Sequence, residues 1–318
     1  MKVFITGIEG FVGEYLTREL INNGHDVSGF HYHLASAKHL DKYGVRLHRG
    51  DVLDREKFWS ALDKENPDAV IHLAAITFVP QSQKDPIGTW QTNFFGTLNL
   101  LEWARQQKPG TKILLVSSGE IYGAPKSDVD LPFTEKSCPA PTNIYSATKA
   151  ACETAAIQYR NIWQIPIVIA RSFNHIGPGQ SENFVTQAFA KQIAEIALGK
   201  SEPIVRVGNL SAERDFTDVR DVVRAYRMLI SNDIASDSPI FNICSGKAVM
   251  IQLILDSLIK LSGKNIKVQI DRQKLRPIDT PIIYGSYQKL LDATGWKPKI
   301  ALKKSLSDIF KWWMKKLK

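Results

Sequence analysis

Cysteine is scarce in this 318-residue chain: Cys138, Cys152 and Cys244 stand far apart and form no C-x-x-C pair. That excludes a disulfide framework and a cysteine-ligated zinc site, so reduced structural thiols and no metal are expected. Long apolar runs are lacking too, none approaching the roughly 20 residues that cross a bilayer. The N-terminal MKVFITG passes straight into a strand-like run with no signal-peptide pattern. The expectation is a cytoplasmic protein without membrane insertion. No internal repeat or low-complexity tract appears. What remains has globular proportions, 44% hydrophobic and 23% charged, at a length that suits one large domain or two modest ones.

The net charge of +9 invites a nucleic-acid partner, but its distribution argues against one. Residues 299–318 hold seven lysines against one aspartate. Within them Leu302, Leu306, Ile309, Phe310, Trp313 and Leu317 recur at helical spacing. The segment therefore reads as an amphipathic helix packed on the body, with its lysines on a solvated outer face. Trp312 and Met314 fall off the stripe and keep membrane-surface binding as a minority reading.

Short runs rich in Val and Ile recur at 2–6, 26–30, 45–48, 69–75, 112–117, 165–171 and 240–244, with helical-period segments between most of them. This alternation predicts an α/β fold, a doubly wound parallel sheet of the Rossmann type with helices on both faces. From about residue 174 the rhythm changes to Gly/Pro-rich loops and a long helical stretch near 184–198. The division expected is a dinucleotide-binding domain of residues 1–173 plus 219–245, and a smaller lobe of 174–218 plus 246–318.

The first strand runs into GIEGFVG, with glycines at 7, 10 and 13. Glycines in such a turn let the backbone approach a pyrophosphate, and the following helix N-terminus offers unpaired N–H donors. Strand, turn and helix at the start of a βαβ rhythm raise a weak pattern to a strong one. Other motifs fall at the carboxyl ends of strands, where open α/β sheets bind ligands. Asp51 in GDVLD either accepts from an adenine amino group or caps a helix. Ala74 and Ala75 in HLAA leave room for a cofactor or for close helix packing. Ser118 in SSGEIYG can donate to an oxygen held beside Tyr145. In NIYSATKAACE, Tyr145 and Lys149 stand at i and i+4 and share one helix face. A fixed cation beside a phenol favours the phenolate and brings the group toward acid/base work near neutrality. The competing account is an amphipathic helix on which Tyr and Lys fall at this spacing.

GxxGxxG, DPIGTWQTNFFGTLNLLE, SSGEIYG, YSATK, RSFNHIGPGQ and RDFTDVRD stand in one order along nearly the whole chain. Together they resemble the extended short-chain dehydrogenase/reductase family. The resemblance assigns the acid/base to Tyr145, its lysine partner and ribose ligand to Lys149, and the orienting hydroxyl to Ser118. It makes Asn93 the helix asparagine that supports the lysine through water. Glu120 takes the position of the glutamate that removes the C5 proton in dehydratases. It implies that Gly7, Gly10, Phe11, Val12 and Gly13 bind the cofactor, together with Asp51, Val52, Leu73, Ala74 and Ala75.

The second half is similar to the nucleotide-sugar branch, nearest the pattern of its GDP-sugar reductases. The similarity implies that Asn174, Val185, Lys191, Arg214 and Arg276 line a GDP-sugar site, where cations fork onto a diphosphate. A salt bridge to Asp215 or Asp218 is the other account of Arg214. The second strand ends in GFHYHL, with neither the acid of an NAD site nor the arginine of an NADP site. His31, His33 and Lys38 offer positive charge to a 2′-phosphate, and the resembling reductases generally use NADPH, so NADP is slightly favoured over NAD. The activity expected is reduction of the C4 keto group of a GDP-linked 4-keto-6-deoxy sugar by a homodimer. A GDP-hexose 4,6-dehydratase, or a GDP-sugar C4 dehydrogenase with tightly bound NAD(P), is the alternative.

Overall fold

The computed structural model describes residues 1–32, 37–232, 238–274 and 280–318. Each Val/Ile-rich run forms a strand: β1 (Lys2–Thr6), β2 (Asp26–His31), β3 (Arg46–Arg49), β4 (Ala69–His72), β5 (Lys112–Ser118) and β6 (Ile167–Ser172). There follow β7 (Asn174–Ile176), β8 (Ile204–Val207), β9 (Glu213–Asp218), β10 (Ile240–Ile243), β11 (Ala248–Met250), β12 (Lys267–Ile270) and β13 (Ile282–Ile283). The main sheet has seven strands in the order β10-β6-β5-β4-β1-β2-β3, every neighbouring pair parallel. The strand order reverses between β1 and β4, so a crevice opens at the carboxyl ends of those two strands.

Alternation along the strands sets the two faces. Val3, Ile5, Ala69, Ile71 and Leu114 enter one core. There they meet Leu16 and Leu20 of the helix Phe11–Asn22, and Val222, Tyr226 and Leu229 of the helix Val219–Ser231. Phe4, Val70, Ile113 and Leu115 enter the other, with Phe58 and Leu62 of Arg55–Glu65, Leu100 and Trp103 of Gly96–Gln107, and Cys152 and Ala156 of Ile144–Trp163. Both faces are covered, as a parallel sheet requires.

A third core joins Phe189 and Ile193 of the helix Val185–Ala197, Ile254 and Leu258 of Ile251–Ser262, and Leu306, Ile309 and Trp313 of Leu302–Lys316. The lysine-rich last helix thus packs by the stripe read from its sequence, and Trp312 and Met314 also lie partly against this core. Around it the short strands pair as β11-β9-β13 with β7 on β9, and as β8 with β12. Leu290 and Trp296 reach back into the first core. Among the described residues no helix is long and apolar enough to cross a membrane, and no group of three or more side chains could hold a metal ion.

Candidate active site

The turn after β1 is shaped by contacts that leave no room for side chains. Gly7 has φ +67° and donates to the Phe30 carbonyl at 2.9 Å. A Cβ on Gly7 would lie 3.0 Å from the Ala74 N and Cα, and one on Gly13 would lie 2.2 Å from the Ile8 carbonyl oxygen. The helix Phe11–Asn22 begins after Gly10, which has no side chain to cap its first amides. This is the backbone cradle that a pyrophosphate fits. Phe11 and Val12 open that helix half-buried, and Leu73, Ala74 and Ala75 lie half-buried past the end of β4. The Ala74 amide donates to the Thr6 hydroxyl at 3.2 Å, which fixes this segment against the glycine turn. Asp51 accepts from the Leu53 amide at 2.9 Å, and Val52 is buried where a Cβ on Gly96 would meet it at 2.7 Å.

At the end of β2, His31 is buried and Tyr32 exposed. His33 lies outside the described residues, as does the side chain of Lys38. A contact that motif reading did not foresee occurs here: Glu9, inside the glycine turn, accepts from the Tyr32 amide at 2.8 Å.

The helix Ile144–Trp163 starts at a capping box in which the Ser146 amide donates to Asn143 Oδ1 at 2.9 Å and the Asn143 amide to Ser146 Oγ at 3.2 Å. The box fixes the first turn, and with it Tyr145. Both Tyr145 and Lys149 are buried. Burial pushes the phenol up to about 12, Ser118 hydrogen-bonded to it pulls it down, and the Glu120 carboxylate nearby raises it. Lys149 Nζ donates to the Val116 carbonyl at 2.8 Å, and burial holds its pKa below the ordinary lysine range. Ser118 Oγ accepts from the Glu120 amide at 3.1 Å and so caps the Gly119–Tyr122 turn.

Asn93 sits in a π-helical turn, Gln91–Phe95, and is 1% exposed. Its side chain accepts from the Ile76 amide at 2.8 Å and donates to the Ile76 carbonyl and to Thr148 Oγ1, at 3.1 and 3.0 Å. It therefore reaches the residue beside Lys149 directly. Glu153, one turn beyond Lys149, is buried against Arg171, a pair that pattern reading passed over.

On the other wall, Asn174 opens β7 half-buried and Val185 begins the helix Val185–Ala197. Lys191 pairs with Glu182 and lies over the Trp313 ring at 5.8 Å. Arg214 is buried on β9 and donates to the Glu213 carbonyl at 2.8 Å. The carboxylates considered as its partners have further partners of their own. Asp215 accepts from the Ser245 and Gly246 amides at 2.6 and 2.9 Å, and Asp218 from Arg220 at 2.7 Å. Arg276 lies outside the described residues. Among the described residues the buried hydroxyls of Thr186 and Thr217 and Oε1 of Gln180 meet no hydrogen-bond partner.

A dinucleotide turn at the sheet's switch point, with a protonated phenol and an ammonium one helical turn apart beside it, defines the class: an extended short-chain dehydrogenase/reductase working with NADP or NAD. The chain belongs to the GDP-mannose 4,6 dehydratase family, whose model matches residues 4–309. It is 35% identical, over 98% of its length and 97% of the relative's, to the GDP-6-deoxy-D-mannose reductase of Pseudomonas aeruginosa. The structure of RMD from Pseudomonas aeruginosa complexed with NADPH superposes at a TM-score of 0.87, with 34% identity and 99% of each chain covered. The NAD complex of UDP-glucose 4-epimerase from Thermus thermophilus also gives 0.87, at 27% identity over 98% of this chain and 99% of the other.

Proposed function

We propose that the protein reduces the C4 keto group of a GDP-linked 4-keto-6-deoxy hexose. The observation that carries this reading is the buried Tyr145 phenol with Ser118, at the carboxyl end of β5, bonded to it. A reduction needs a proton donor at the carbonyl oxygen, and a phenol that keeps its proton at neutral pH is suited to give it. Tyr145 protonates the C4 oxygen while the Ser118 hydroxyl donates a hydrogen bond to the same atom. Lys149 holds the ribose of a dinucleotide lying across Gly7, Gly10, Gly13, Ala74 and Ala75, and Asn93 fixes the helix that presents the lysine. The nicotinamide, when bound, supplies hydride for C4. Arg214 and Arg276 meet the diphosphate, with Asn174, Val185 and Lys191 around the nucleotide.

The same reading divides the chain into a dinucleotide domain of residues 1–173 plus 219–245 and a sugar-nucleotide lobe of 174–218 plus 246–318. Exposed Phe95, Ile162 and Trp163, at 52, 60 and 41%, support a homodimer formed on that side of the molecule. The cytoplasm is the compartment proposed for it.

Glu120 favours one second reading. It adjoins Ser118 and bears on the phenol, so a GDP-hexose 4,6-dehydratase that returns its cofactor unchanged is the competing activity. Incubation with GDP-mannose alone, and separately with GDP-4-keto-6-deoxy-mannose plus NADPH or NADH, distinguishes the two. Loss of reduced-nicotinamide absorbance in step with keto-sugar consumption is the result expected. Conversion of GDP-mannose with no net cofactor use would overturn the reductase.

A further inference from the structure

In dinucleotide folds the adenosine ribose is usually read at the end of the second strand, by an acid that accepts from its 2′-hydroxyl or by an arginine that meets a 2′-phosphate. Here β2 ends at His31, with Tyr32 next, and neither is such a residue; His31 is only 5% exposed. An acid stands at that place nonetheless. It comes from the glycine turn: Glu9 crosses from the end of β1, and its Oε1 accepts the Tyr32 amide at 2.8 Å. The loop that carries it is fastened to β2. β1 and β2 pair in register as far as Thr6 and Phe30, and the Gly7 and Ile8 amides both donate to the Phe30 carbonyl, at 2.9 and 3.4 Å. The Glu9 carboxylate is therefore held at the lip of β2. Among the described side chains that follow β2, Lys42 and His39 lie by Glu14, at 2.9 and 3.7 Å.

We propose that Glu9 is the residue by which this protein discriminates between its two possible cofactors, accepting from the ribose 2′-hydroxyl of NAD(H) and repelling the 2′-phosphate of NADP(H). An ionised carboxylate has acceptors only, so it complements a hydroxyl. A phosphate monoester near neutrality carries between one and two negative charges and likewise offers acceptors, leaving the pair with repulsion and no shared proton. The proposal rests on the dinucleotide reading of the glycine turn and is independent of which sugar is reduced.

The test is equilibrium titration of the intact protein with NADH and with NADPH, without sugar, followed by nicotinamide fluorescence and by the melting shift each cofactor produces. NADH should bind about ten- to a hundredfold more tightly, the range set by a hydrogen bond to a charged group. Glu9→Gln keeps an acceptor for the Tyr32 amide and removes the charge, so it should narrow the ratio mainly by strengthening NADPH. Glu9→Ser should narrow or invert it, with the cofactor-free melting temperature of each variant reporting its fold. NADPH binding as tight as NADH in the unaltered protein, or a ratio that neither substitution moves, would overturn the assignment. Binding of neither dinucleotide would overturn it together with the cofactor reading of the turn.

Discussion

Glu153 and Arg171 form an ion pair almost entirely inside the protein, their side chains 5 and 4% exposed. Arg171 Nη2 donates to Glu153 Oε2 at 2.7 Å and Nε lies 3.1 Å from both oxygens, while Ser117 Oγ donates to the same carboxylate. Arg171 Nη1 donates to the Tyr122 hydroxyl at 2.8 Å, which in turn donates to Asn242 Oδ1 at 2.8 Å. The helix bearing Tyr145 and Lys149 is thereby tied to β5, β6 and β10 by charge as well as by packing. Removing one member strands the other in low dielectric. Arg171→Met should cost about 3–5 kcal/mol in urea unfolding, and adding Glu153→Leu should restore much of that loss. An unaltered midpoint in the single variant would contradict this account.

Tyr145→Phe removes one oxygen from a buried site and leaves the helix intact. Turnover should fall about 10²–10⁴-fold while dinucleotide affinity stays unchanged. Lys149→Met should harm both, because one ammonium serves the ribose and the catalytic helix face. Rates under substrate saturation and direct cofactor titration on the two variants separate these patterns.

Stability should fail at alkaline pH earlier than its lysines alone would require. Burial pushes Tyr15, Tyr122, Tyr145 and Tyr159 from 10.0 up to about 12, and raises Tyr226 further. Unfolded phenols release their protons near 10 and the folded ones hold them, so this stabilisation is complete below pH 10 and drains away as the pH climbs toward 12. The melting temperature should drop across that window, with tyrosinate absorbance rising only as the chain unfolds. In Tyr145→Phe the drop should be shallower.

The acid limb has a different origin. His72 is 1% exposed, its Nδ1 lies 2.8 Å from Thr6 Oγ1, and burial with the Lys149 charge lowers its pKa from 6.5 to about 3. The unfolded imidazole takes a proton below 6.5 and the folded one refuses it, so stability should decline as the pH falls through that value. His72→Gln should lose less stability between pH 6.5 and about 5 than the unaltered protein does, as read by urea midpoints at each pH.

Gly13→Ala tests the turn itself. The added methyl would meet the Ile8 carbonyl at 2.2 Å, and backbone cannot swing aside as a side chain can. Destabilisation of about 1–3 kcal/mol is expected, with weakened dinucleotide binding. Gly110→Ala, where nothing lies within 4 Å, serves as the matched control and should alter neither property.

The seven strands of the main sheet were legible because short runs bearing Val, Ile or Leu recur between helical-period segments, and the glycine turn because its spacing follows from its job. β9 was not. Its sequence, ERDFTD, is buried from Arg214 to Asp218, yet hydropathy marks only Phe216, since backbone amides and Arg220 satisfy its carboxylates. Strands of two or three residues such as β7 and β13 carry too few side chains to show a period. Glu153 falls four residues after Lys149 on the same helix, and nothing in that spacing names Arg171, which arrives from a strand. Glu9 was hidden inside a motif whose intervening positions accept any residue.

The π-helical turn at Gln91–Phe95 has a consequence for anyone shortening or grafting this helix. Within it the Asn93 carbonyl accepts from Thr97 Oγ1 at 2.6 Å and from Cys152 Sγ at 3.2 Å. Deleting a single residue would restore an unbroken spiral and a better isolated helix. It would also put the residues of that turn out of register, at about 100° of helix per residue, carrying Asn93 away from Ile76 and Thr148. The irregularity works as a frameshift in three dimensions, and a tidier helix would point its asparagine at the wrong neighbours.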